Sequence, residues 1–322
     1  MKNYTELYKL ISTEIENTSY GKSPAELYEP ISYMMALGGK RLRPVLVLMA
    51  CQLFDSNVSK AINAAHAIEV FHNFTLVHDD IMDNAPLRRG QQTVYTKWNM
   101  PIAILSGDLM MIKATQLLCE TETNELKALL DMFNKTAIEV CEGQQIDMNF
   151  EARNDVTHEE YIHMISLKTS VLLAASLHIG AKIGGSSDEA AQHLYDFGKN
   201  IGIAFQIQDD ILDSFGEGTK VGKKIGGDIA SNKKTLLLIE LLCSCHKDDK
   251  ALLEKLMNNS NEDAKISGVL ELYKKYHVKE FAEAEKSKYL NLAFQSLEKV
   301  KSNEEAKKLL SDTANELMIR MS

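Results

Sequence analysis

Two stretches decide how this chain is read: Phe71-His72-Asn73-Phe74-Thr75-Leu76-Val77-His78-Asp79-Asp80-Ile81-Met82-Asp83 and Ile203-Ala204-Phe205-Gln206-Ile207-Gln208-Asp209-Asp210-Ile211-Leu212-Asp213. Each runs apolar residues into the same acidic pattern, Asp-Asp-Ile-x-Asp. At helical spacing Asp79 and Asp83 share a face, as do Asp209 and Asp213. Like charges one turn apart cost a helix roughly a few tenths of a kcal/mol. Burying carboxylates beside apolar surface costs far more unless a cation compensates. A hard divalent cation such as Mg²⁺ meets that need, because it takes oxygen ligands and commonly bridges carboxylates to phosphates. Two solvated acidic helix ends are the plain alternative, and the repetition of the motif after two apolar runs weighs against it.

Outward from these motifs the chain reads as helix. It has 322 residues and five prolines, all within Pro24–Pro101, so everything beyond is free of the residue that breaks helix interiors. Leu290, Ala293, Phe294 and Leu297 follow the helical repeat. Ser23-Pro24-Ala25-Glu26, Thr157-x-x-Glu160 and Ser302-x-x-Glu305 have the spacing of helix N-caps. Gly184-Gly185-Ser186 breaks two helices apart. Val45–Met49 could be a strand, but its apolar spacing continues helically to Leu53. No alternating strand pattern and no linker is evident. The expectation is one all-α domain over residues 1–322, a bundle of about ten or more helices.

Composition narrows the function. Net charge is −9, from 36 Lys and Arg against 45 Asp and Glu, a poor balance for nonspecific nucleic-acid binding. Five cysteines form no disulfide framework and no zinc spacing, which fits reduced thiols and a cytoplasmic protein. The apolar runs Ser170–Gly180 and Thr235–Cys245 fall short of the roughly 20 residues that span a bilayer, so no integral membrane segment is expected.

Cations gather locally in this acidic chain. Gly38-Gly39-Lys40-Arg41-Leu42-Arg43-Pro44 sets three charges after a glycine pair. Arg88-Arg89-Gly90 follows the first acidic motif, and Lys168-Thr169 interrupts an apolar helix. Lys220, Lys223 and Lys224 lie in the glycine-rich Gly216–Gly227, and Lys233-Lys234-Thr235 follows. Glycines let backbone approach a phosphate, and arginine can grip it with two bonds. Carboxylates for Mg²⁺ and cation clusters beside an apolar interior fit diphosphate esters of hydrocarbons.

These segments together (GGKRLRP, HNFTLVHDDIMDNAPLRRG, LKT, FQIQDDILD and GKKIGGD…NKKT) resemble the ordered motifs of the trans-isoprenyl diphosphate synthases, from about residue 30 to 236. The resemblance implies the all-α isoprenoid synthase type I bundle around a deep central cavity, as a homodimer. It implies condensation of an allylic diphosphate (dimethylallyl, geranyl or farnesyl) with isopentenyl diphosphate, assisted by about three Mg²⁺ ions. Asp79 and Asp83 resemble the metal ligands of the first motif, with Asp80 between them; Asp209 resembles that of the second, supported by Asp210 and Asp213. Arg88, Lys168, Thr169, Gln206, Lys223 and Lys233 are similar to the allylic diphosphate site, with Lys224 an alternative to Lys223. Lys40, Arg43, His72 and Arg89 are similar to the isopentenyl diphosphate site, His72 standing where some members carry Gln. No side-chain base is evident, so the released diphosphate is expected to take the proton; His78 is read as structural.

Product length is expected to be set on the helix before the first motif. Phe71 and Thr75 share a face with Asp79, and Phe74 lies beside it. A large Phe74 would floor the hydrocarbon's path, and the Phe-Thr pair resembles members that make geranylgeranyl diphosphate, with farnesyl diphosphate the near alternative. A class I terpene cyclase normally has a different second motif, and a noncatalytic partner subunit should have lost one.

Overall fold

The computed structural model describes residues 1–216 and 225–319. Its described chain is mostly helical with almost no strand, in agreement with the all-α expectation. Two compact units are present. One comprises Met1–Asn134, Ala175–Tyr195 and Lys301–Leu310; the other comprises Lys135–Ala174, Asp196–Val300 and Ser311–Ser322.

Helices α1 (Tyr4–Asn17), α2 (Ala25–Ala36), α3 (Leu42–Gln52), α4 (Ile62–Met82), α5 (Val94–Lys97) and α6 (Met100–Cys119) belong to the first unit. There α4 packs along α6 and against α3. Ala64, Ala67, Ile68, Val70 and Phe71 of α4 are fully or almost fully buried. Val45–Met49 is thus helical, as its spacing indicated. Between α4 and α5 a small hairpin pairs Leu87–Arg88 with Gln91–Gln92, the one strand pair among the described residues. Arg89 (φ 53) and Gly90 (φ 75) supply the left-handed turn that a two-residue hairpin loop needs.

Helix α7 (Leu126–Glu151) is followed by α8 (His158–Ile165), α9 (Val171–Ile183) and α10 (Asp188–Phe215). Thr157 caps α8, and Glu160 returns the bond to the cap backbone, the expected capping box. Between α8 and α9, Ser166–Ser170 winds as a single π-helical segment. The second unit continues with helices Gly227–Ala230, Leu236–Ser244, Lys247–Met257, Glu262–Lys275 and Val278–Glu298. Ile203, Ile207 and Ile211, one turn apart on α10, join Leu237, Val269 and Tyr273 in its core.

Two expectations need correction. Ser23 does not cap α2: Pro24 occupies that position without a side-chain bond. Near the C-terminus Asn303, not Ser302, accepts from the Ala306 N–H, while the Ser302 hydroxyl is buried without a partner. Two helices are also long and apolar enough to cross a membrane, Met100–Cys119 and His158–Ile183. The second is 78% buried within the protein, as a core helix is; the first is only 33% buried and exposes Ile104, Leu105 and Ile112.

Candidate functional site

In the first unit the acidic motif ends α4. Asp79 and Asp80 occupy its last turn, and Asp83 is the C-cap. In the second unit Asp209, Asp210 and Asp213 lie in the last two turns of α10. A helix C-terminus carries partial negative charge, so both motifs place carboxylates where the backbone itself disfavours them.

The middle aspartates are the buried ones. Asp80 is 1% exposed and is gripped by Arg88, whose Nε lies 2.9 Å from both carboxylate oxygens and whose Nη2 lies 2.8 Å from Oδ1. Burial raises the Asp80 pKa, and Arg88 opposes the rise. Asp210, 2% exposed, accepts from the Tyr161 hydroxyl at 2.5 Å and the Leu236 N–H at 3.2 Å. Burial pushes its pKa up to about 7, against the pull of the Tyr161 bond and Lys233. The compensation expected from a metal is therefore supplied to the middle aspartates by the protein. Asp79 and Asp209 are only half-buried and Asp83 is exposed. These outer carboxylates are hard oxygen donors, and no three metal-ligating side chains cluster among the described residues. That donor set fits a Mg²⁺ ion that keeps waters and shares oxygens with a bound phosphate.

Around the first motif, Gly38 (φ 72), Gly39 (φ 131) and Arg41 (φ 46) take left-handed conformations before α3 starts at Leu42. Lys40 is exposed. Arg43 Nη1 lies 3.2 Å from His72 Nε2, and Arg89 Nη1 donates to the Gly38 carbonyl. Burial and four arginines hold the His72 pKa well below the ordinary imidazole range, so the ring is neutral. Lys40, Arg43, His72 and Arg89 are thus gathered at one loop. Arg88, by contrast, has its Nε and Nη2 committed to Asp80. His78 sits against α6, 3.3 Å from the Ile104 carbonyl, where a Cβ on Gly107 would come within 2.3 Å of its ring. That fit supports its structural reading.

Around the second motif, Lys168 and Thr169 lie on the π segment. Lys168 Nζ meets Asp147 at 2.5 Å, and the Thr169 hydroxyl donates to Gln206 Oε1 at 3.3 Å. Gly143 and Gly202 let neighbouring helices approach the segment. An added Cβ would lie 2.3 Å from the Lys168 nitrogen or 2.6 Å from Ser170 Cα, respectively. π segments recur at functional positions because they re-aim side chains. Asp213 accepts from the Asp228 N–H at 3.0 Å, a supporting role, and Lys233 Nζ lies 3.8 Å from Asp228. Lys220, Lys223 and Lys224 lie outside the described residues. Sequence reasoning missed Glu69, which meets Arg41 at 2.5 Å, Tyr161 and Asp147, since nothing local marks which distant cation or carboxylate each one meets.

Phe71 is 1% exposed, with ring centroids 5.6 Å from Phe74 and 5.2 Å from Phe133. Phe74 is half-buried and meets His78 edge-on at 4.8 Å. The Thr75 hydroxyl donates to the His72 carbonyl at 2.8 Å.

Protein-anchored acidic helix ends beside cation clusters in an all-α protein form a donor set that suits a polyanion with a hard cation. The family model described as polyprenyl synthetase matches residues 24–274. The chain is 40% identical over 304 residues to the geranylgeranyl diphosphate synthase of Sulfolobus acidocaldarius, covering 93% of this chain and 92% of that one. A crystal structure of a geranylgeranyl pyrophosphate synthase superposes with a TM-score of 0.95 at 40% identity over 100% of both chains. The geranylgeranyl pyrophosphate synthetase of Pyrococcus horikoshii gives a TM-score of 0.91 at 35% identity, covering 98% of each chain. The chain belongs to the polyprenyl synthetase family.

Proposed function

We propose that this protein is a short-chain trans-prenyltransferase that condenses allylic diphosphates with isopentenyl diphosphate and stops at geranylgeranyl diphosphate. The observation that carries the reading is the repeated arrangement of a buried, protein-anchored middle aspartate with outer carboxylates left accessible at a helix C-terminus. Asp79 and Asp83 in the first unit, and Asp209 in the second, are the residues that would hold about three Mg²⁺ ions. When bound, Mg²⁺ neutralises charge on the departing diphosphate.

The remaining roles belong to side chains. Lys168, Thr169, Gln206 and Lys233 bind and orient allylic diphosphate oxygens, with Lys223 or Lys224, and Arg88 contributes while anchoring Asp80. Lys40, Arg43, His72 and Arg89 hold isopentenyl diphosphate. The allylic C1–O bond breaks, the isopentenyl double bond forms a carbon–carbon bond to C1, and the proton lost next goes to the released diphosphate. Apolar surroundings keep water from the cation. The hydrocarbon runs along the α4 face of Thr75 and Phe71, floored by Phe74. The protein works in the cytoplasm as a homodimer; support for the dimer is the exposed apolar row Ile104, Leu105 and Ile112 on α6.

The test is incubation of the purified protein with isopentenyl diphosphate, Mg²⁺ and each allylic primer in turn. Condensation with at least one primer, lost on chelation, is expected. Failure with dimethylallyl, geranyl and farnesyl diphosphates alike would overturn the reading.

A further inference from the structure

The loop Gly38–Arg43 is held by more than the residues that face a ligand. Its three leading carbonyls are all occupied: Gly38 accepts from Arg89, Gly39 from the Tyr8 hydroxyl at 3.3 Å, and Lys40 from the Tyr4 hydroxyl at 2.5 Å. Arg41, between Lys40 and Arg43, points elsewhere. It is 6% exposed. One nitrogen meets Glu69 at 2.5 Å; another meets the Met35 carbonyl at 2.5 Å, in the last turn of α2 where carbonyls lack helical partners. One arginine thereby ties α2, the start of α3 and α4 together.

Glu69 is 2% exposed and lies one turn before His72 on α4. Besides Arg41 it accepts from Asn73 Nδ2 at 3.0 Å, and its charge acts on Arg43 and Arg89 as well. Burial lowers the Arg43 pKa to about 10, and Glu69 opposes the fall. Three buried polar atoms here have no protein partner: Arg43 Nε, Glu69 Oε2 and Asn73 Oδ1. An unused donor on Arg43 suits an incoming anion, while acceptors aligned on α4 keep the cations in place before it arrives.

We propose that Glu69 and Arg41 are a positioning pair that presents Lys40, Arg43 and His72 to the diphosphate of isopentenyl diphosphate. The proposal rests on the assignment of that diphosphate to this loop. Arg41 fixes the left-handed bend that turns the chain into α3, and Glu69 supplies a buried negative charge beside Arg41, Arg43 and Arg89. Neither residue touches the substrate.

The test compares steady-state kinetics for both substrates, with melting temperatures, in wild type, Arg43→Gln, Glu69→Gln and the double variant Arg41→Leu with Glu69→Gln. The double variant removes one charge of each sign and does not leave Arg41 buried without its carboxylate, so it separates positioning from the cost of a broken ion pair. Misplacing binding groups by about an ångström should raise KM for isopentenyl diphosphate at least tenfold, while KM for the allylic diphosphate moves less than about twofold. Glu69→Gln alone should also raise that KM. A bystander charge would give the opposite, since removing a negative charge strengthens attraction for a diphosphate. If Arg43→Gln raises KM for isopentenyl diphosphate and the double variant does not, the positioning pair is refuted while the loop assignment stands. If Arg43→Gln also leaves it unchanged, the loop assignment fails and the proposal with it. A parallel loss of both KM values with the melting temperature would refute positioning in favour of a purely structural role.

Discussion

Asp80 and Asp210 hold the same place in two copies of one motif and are secured by different chemistry, a forked arginine in one and a tyrosine hydroxyl with a backbone N–H in the other. What is repeated is the need to fix a carboxylate inside, so that its neighbours are presented outward. Phe74 matters at the same scale. Its ring is held by Phe71 and His78 rather than deeply buried, so truncation removes a barrier without emptying the core. Phe74→Ala is expected to shift the product distribution to chains longer than geranylgeranyl, read by mass spectrometry; an unchanged distribution would discard the floor. His66 supplies a pH dependence. It is 1% exposed and bonded to the Tyr20 hydroxyl at 2.7 Å, and burial pulls its pKa down to about 4. A depressed histidine contributes stability that is full above its unfolded pKa of about 6.5 and is lost as pH falls toward 4. That loss is on the order of 3 kcal/mol for His66 alone, and His72 acts in the same direction. Melting temperature should therefore fall steeply between pH 6.5 and 4, and less steeply in His66→Gln.

At the scale of elements, the π segment Ser166–Ser170 is the least expected feature. The residues Lys168 and Thr169 were readable as an interruption of an apolar helix, but the extra turn width that aims them was not, because it depends on glycines on two other helices. Gly143→Ala and Gly202→Ala should each destabilise the second unit by about 1–3 kcal/mol through overpacking. They should also raise KM for the allylic diphosphate more than for isopentenyl diphosphate; equal changes in both would argue that the segment's shape is irrelevant to binding. Caps divide in the same way. The Thr157–Glu160 box forms as its spacing indicates, because both partners are local. At Ser302 the pattern is equally good, yet Asn303 takes the cap, because a neighbouring residue of equal capping strength competes at the same helix start.

At the scale of the molecule, the helical class and the family were legible in the ordered motifs. The hidden partners were not: Glu69, Tyr161 and Asp147 act across 21 to 49 positions of sequence, or through a burial that no local pattern encodes. The exposed apolar row on α6 belongs to this scale. The proposed homodimer predicts that Leu105→Glu with Ile112→Glu lowers the mass read by light scattering from two chains to one; an unchanged mass would contradict an interface on this row. The central claim concerns what leaves the enzyme. The most direct measurement is the mass of the products formed by the wild-type protein from dimethylallyl and isopentenyl diphosphates with Mg²⁺ at completion. Geranylgeranyl diphosphate as the main product is the result predicted. Accumulation of farnesyl diphosphate, longer chains or no condensation product would contradict it.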